Sequence, residues 1–190
     1  MTSSKDSTQE TWIAAIRYIT GRKAAEEALG FLTHISSLLD AEQEPVEWGR
    51  SVARACVPYL GSAVSVDIAG VRDPVLEPDE RFEPALRQLR AAASYNGEAA
   101  SVISDHPKMA SIARAAPAED VPATLFGSAA VVRLVFRSHA SGYLAVLRTP
   151  EHPKGAIGPA DLALISELAS RLALSNTFTE LAARASTAGR

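Results

Sequence analysis

The chain has 190 residues, 47% of them hydrophobic, with 19 Lys and Arg against 22 Asp and Glu for a formal net charge of −3. That is enough apolar material for one sizeable core, and with no basic run it speaks against nucleic-acid affinity, which needs clustered Lys and Arg. A single cysteine, Cys56, excludes an intramolecular disulfide and any zinc site built from paired cysteines.

In chain order, residues 1–9 are polar and read as a tail, without the apolar run of a signal peptide. Trp12, Ile13, Ile16 and Ile19 share one side of residues 10–20, a short amphipathic helix that Gly21 is expected to end. A stronger helix over 22–40 carries Ala25, Ala28, Leu29, Leu32, Ile35, Leu38 and Leu39 at spacings of three and four. Pro45 opens a third helix, with Val46, Val52, Ala53, Cys56 and Val57, which stops by Pro58. Residues 62–69 read as a strand between Gly61 and Gly70, and 73–84 as an acidic, proline-containing loop with no obvious strand. A helix over 85–93, a turn at Tyr95-Asn96-Gly97, a short strand at 99–103, a helix over 108–116 and a loop to Phe126 follow.

Residues 129–136 are β-rich, Ser138-His139-Ala140-Ser141-Gly142 reads as a turn, and 143–148 returns as a strand. The closing helix has Gly158 as N-cap, Pro159 at N1 and Asp161 complementing the dipole of its first turn. It is expected to reach about Leu181 and to bury Ile165, Leu168, Ala169 and Leu172, with a polar tail over 184–190. No apolar stretch approaches the roughly 20 residues of a membrane span, so the cytoplasm is the expected compartment. The plan is α+β, an antiparallel sheet with helices packed on one face.

This order resembles a GAF domain of the kind found in actinobacterial phosphatases and sensor kinases. Residues 31–39 and the helix to Cys56-Val57-Pro58-Tyr59-Leu60 are similar to its opening helices. Val66-Asp67 resembles the end of its first strand, Ser101-Val102-Ile103-Ser104-Asp105 the short strand before the ligand-side helix, and residues 127–148 its hairpin. Gly142 stands at the family's turn, and Gly158-Pro159-Ala160-Asp161-Leu162 resembles the start of its last helix. Arg133 departs from the family's usual proline. The likeness implies a PAS/GAF-type fold over residues 22–183, a bacterial signal-transduction role, and dimerisation through the first and last helices.

The residues carry no catalytic motif: G-x-S-x-G, the phosphate-binding loop and the kinase signatures are all absent. Sulfoxide reductases of the GAF fold need more than one cysteine, and Cys56 among apolar neighbours reads as a small buried hydrophobe. The Asn-Lys-Phe-Asp-Glu signature of cyclic-nucleotide-binding relatives is missing. Of the four histidines, His34 reads as a helix-face residue and His139 and His152 as solvated, while His106 falls where the fold forms its pocket. No pair has metal-ligand spacing. The expectation is a non-catalytic sensory domain whose pocket for a small molecule is lined by Phe82, Tyr95, His106, Met109 and Phe126, with Arg133 meeting an anionic group. No cofactor is indicated. Trp12, Ile16, Ile19 and Phe178 are the expected homodimer contacts, passing a signal to an output domain or protein; the alternative is an interaction and dimerisation module with no ligand.

Overall fold

The computed structural model describes residues 3–41, 44–57, 59–68, 75–77, 82, 85–87, 89, 100–103, 127–137 and 139–188. Side chains are described for these except at 3–19, 75–77, 100–103, 139, 180 and 182–188. The chain divides into two compact units, Met1–Ser37 and Leu38–Arg190.

Helix α1 runs from Ser3 to Ala41 without interruption, which corrects the expected tail over 1–9 and the break at Gly21. A helical glycine costs only about 1 kcal/mol relative to alanine, and a Cβ at Gly21 would meet nothing within 4 Å. Directly after it, Arg22 pairs with Glu26 at 2.8 Å and Lys23 with Glu27 at 3.9 Å, one turn apart, the spacing that supports a solvated helix.

In the second unit α2 (Pro45–Cys56) starts at its proline, as expected, and buries Trp48, Val52, Ala53 and Cys56. Among the described residues the sheet has five strands: β1 (Ala63–Ile68), β2 (Val75–Glu77), β3 (Ala100–Ile103), β4 (Ser128–Phe136) and β5 (His139–Arg148). Their order is β2-β1-β5-β4-β3 and every pairing is antiparallel. Strand β2 corrects the reading of 73–84 as loop throughout. It is an edge strand of three residues between Pro74 and Pro78, and an edge is where the ladder tolerates proline. The expected helix over 108–116 lies outside the described residues.

Strands β4 and β5 form a hairpin, with Phe136 opposite His139. Arg137 takes φ 50, the left-handed geometry that a two-residue hairpin loop requires. The expected turn at 138–142 is therefore corrected: His139 opens β5, and Gly142 lies inside it. Gly142 has φ +145, and a Cβ there would stand 1.8 Å from the Asp67 carbonyl oxygen. Glycine is required by the close approach of β1 rather than by a turn. Beside it the register shifts between Leu134 and Val135, leaving Ser141 as the extra residue of a bulge.

Val64, Val66, Ile68, Ala130, Val132, Leu134, Leu144 and Val146 are buried on one face of the sheet. Helix α2 packs against β1 and β2, and the closing helix α3 (Pro159–Ala188) packs against β4 and β5. The expected stripe Ile165, Leu168, Ala169 and Leu172 is buried. Helix α3 continues to Ala188, past the expected end at Leu181 and through most of the segment read as a tail.

Candidate functional site

Side chains alternate across a strand, so the register assigns each residue a face. Opposite the α3 side stand Ala63, Ser65 and Asp67 of β1, Tyr143, Ala145 and Leu147 of β5, and Ala129, Val131 and Arg133 of β4. Pairing aligns them in three rows across the central strands: Ala63–Leu147–Ala129, Ser65–Ala145–Val131 and Asp67–Tyr143–Arg133. Phe82, Ala85, Leu86 and Leu89 close over the apolar rows in one buried cluster, and Tyr143 packs at its margin.

The third row is the chemically distinctive one. Its members are all half-buried, and they place a carboxylate, a phenol and a guanidinium side by side. A carboxylate only accepts hydrogen bonds, a guanidinium only donates them, and a phenol does both. Polar groups converging at the edge of an apolar surface are the usual design of a small-ligand site.

Of the residues expected to line a pocket, Arg133 belongs to this row. Phe82 is on the same face but only 8% exposed, packed against Leu86 and Leu89. Tyr95, His106, Met109 and Phe126 lie outside the described residues. Trp12, Ile16 and Ile19 are on α1 at spacings of four and three, with side chains outside the description. Phe178 on α3 is 63% exposed, in line with Leu174 at 37% and Leu181 at 53%. Asp67 and Tyr143 were not expected as site residues. The signal lay in the register, since a two-residue turn followed by one bulge brings Tyr143 opposite Arg133.

On the α3 side, Arg148 is fully buried, and sequence reasoning missed it as well. Its Nη1 and Nη2 donate to Asp161 Oδ2 and Oδ1 at 2.9 and 2.8 Å, and its Nε donates to the Leu60 carbonyl at 2.7 Å. Asp161 Oδ2 also accepts the Gly158 backbone N–H at 3.1 Å, while the Gly158 carbonyl accepts from Leu162 at 3.0 Å, as an N-cap does. Burial pushes the Asp161 carboxyl up, but the Arg148 and Gly158 hydrogen bonds and the guanidinium charge outweigh it and hold the group below the ordinary carboxylate range. Nearby, Ser128 Oγ accepts the buried Ile157 N–H at 2.9 Å. Strand β5 therefore contributes Tyr143 to one face and clamps the start of α3 from the other.

Cys56 is fully buried, and burial pushes its thiol far above its ordinary range. Among the described residues no group of three or more His, Cys, Asp and Glu could hold a metal ion, and no helix is long and apolar enough to cross a membrane.

No protein-family model matches the sequence, and no curated protein does. Solved structures are similar to it. The GAF domain of an Acinetobacter phosphoenolpyruvate-protein phosphotransferase aligns at TM-score 0.58 and 11% identity, over 83% of this chain and 98% of that one. A methyl-accepting chemotaxis protein aligns at 0.55 and 17%, over 77% and 97%. The free methionine-R-sulfoxide reductase of Neisseria meningitidis, solved with its substrate, aligns at 0.51 and 17%, over 82% and 93%.

Proposed function

We propose that this chain, which has the fold of GAF domains, is a non-catalytic sensory or regulatory domain of the bacterial cytoplasm. It binds a small molecule against the Asp67–Tyr143–Arg133 row and signals through its terminal helices. The observation that carries the reading is the row itself, three half-buried polar side chains in register at the edge of an apolar face. A phosphotransferase GAF domain and a chemotaxis protein among the structural neighbours support the regulatory class. Cys56, the single cysteine, is buried and gives no support to a reductase activity like that of the sulfoxide reductase neighbour.

Strand β5 offers the connection, because its Tyr143 belongs to the polar row while Arg148 grips Asp161 at the start of α3. A ligand alters the helices only if it binds two arrangements with different affinity. A thermal-shift screen of the purified chain against a metabolite library tests the reading. A hit is expected to lose its shift in R133Q and Y143A, each checked for native circular dichroism. A saturable ligand indifferent to both substitutions would sink it.

The exposed line Leu174, Phe178 and Leu181 on α3 favours homodimerisation through the terminal helices, because an apolar stripe of this kind marks an association surface. Trp12, Ile16 and Ile19 are the proposed contribution of α1. Should no ligand bind, this pairing would itself be the function. Sedimentation velocity is expected to show a dimer that F178D converts to monomer; a monomeric parent chain removes the pairing.

A further inference from the structure

We propose that the ligand of this face is a zwitterion, a free amino acid carrying an ammonium group for Asp67 and a carboxylate for Arg133, with its body against Tyr143. The inference rests on the reading of the face as a binding site and concerns the chemistry of what binds there.

Asp67 and Arg133 each pair with Tyr143, one from β1 and the other from β4. Neighbouring strands lie about 4.8 Å apart, so the two charged residues stand roughly 10 Å apart at their Cα atoms with the ring between them. Asp67 is half-buried near the end of β1, on the same face as Tyr143, its partner in the register. The guanidinium has five N–H donors in a planar fork that suits a carboxylate.

This placement selects by charge pattern. A simple anion attracted to Arg133 is repelled by Asp67 two strands away, and a simple cation meets the reverse. A dipolar molecule laid along the row gains at both ends. Tyr143 suits the middle position, because its ring face attracts an ammonium group and its hydroxyl can donate or accept. The neighbouring row, Ser65–Ala145–Val131, is fully buried beneath Phe82, Leu86 and Leu89, so a ligand is confined to the polar row at its margin. A molecule of amino-acid size matches the span; a nucleotide would bring several negative charges to Asp67.

The test is calorimetric titration of the full chain with the common L-amino acids, at constant ionic strength. For each that binds, the matching carboxamide and N-acetyl derivative follow. At least one free amino acid is expected to saturate, with both derivatives, each lacking one charge, at least tenfold weaker. D67N is expected to weaken the amino acid at least tenfold without weakening its N-acetyl derivative, an anion that the Asp67 charge repels. R133Q is expected to weaken the amino acid at least tenfold without weakening the carboxamide, a cation that the Arg133 charge repels.

The zwitterion is overturned if no amino acid saturates, or if the singly charged derivatives bind as well as the parent. A monoanion that binds with sensitivity to R133Q and Y143A but not to D67N also overturns it, while leaving the face standing as a site. A ligand of any class indifferent to D67N, R133Q and Y143A refutes the site itself.

Discussion

Replacing Arg148 by methionine keeps the aliphatic stem and removes every donor of the clamp. The Leu60 carbonyl loses a 2.7 Å bond and Asp161 loses two, at 2.8 and 2.9 Å. Removing one partner of a buried ion pair costs about 3–5 kcal/mol, most of it the stranded charge. The Asp161 side chain is 22% exposed and recovers some hydration, whereas Leu60 is fully buried and its carbonyl adds a penalty of about 1–3 kcal/mol. The expected loss is about 4 kcal/mol, which for a chain of this size lowers Tm by on the order of 10 °C.

Urea denaturation followed by far-ultraviolet circular dichroism measures it, together with the double variant R148M/D161L. If stranding of the carboxylate dominates, the double variant is more stable than R148M alone, because an apolar pair of similar volume dispenses with the desolvated charge. The pH dependence has a definite sign. The folded carboxyl titrates below its unfolded value, so its contribution is complete above the ordinary aspartate value of about 3.9 and disappears as pH falls through the lower folded value. The gap between the parent chain and D161N is expected to close over that acidic window. A cost under about 1 kcal/mol for R148M, or a double variant no better than the single one, would refute the reasoning.

Gly142→Ala is expected to cost more than about 3 kcal/mol, since it adds left-handed strain to a backbone clash with Asp67; equilibrium denaturation measures it, and a loss below 1 kcal/mol would contradict the close approach. Gly21→Ala should stabilise α1 by about 1 kcal/mol, visible as slower amide exchange over residues 17–25; unchanged exchange would count against an uninterrupted helix. Ser128→Ala leaves the buried Ile157 N–H without its acceptor, a cost of about 1–3 kcal/mol. That change should also speed exchange at the Ile157 amide, and an unaltered rate would mean that another acceptor serves it.

The start of α3 was legible because its signals are local: Gly158, Pro159 and Asp161 fall within one turn and each has a backbone role. Gly21 and Gly142 misled for one shared reason. A glycine marks permission for a conformation, and sequence does not say whether that permission is used for a break, a turn or a close approach. Gly21 uses none of it, and Gly142 accommodates β1, a strand some 75 residues earlier in the pairing of Ile68 with Gly142. Arg148 reads as the polar end of a strand because its acceptors at Leu60 and Asp161 lie on other elements. Arg133 was found by its charge among apolar residues, but the row it belongs to exists only once three strands are in register.

The isolation of Cys56 also bears on how the chain can be studied. Its only thiol is shut inside the second unit and held in its protonated form, and the thiolate is the species that reacts. A cysteine introduced at Phe178 or Leu181, both open to solvent, would therefore take a dye or spin label alone on an otherwise unaltered background. Distances between two such labels in an assembled pair would follow the α3 helices directly, with and without a bound molecule.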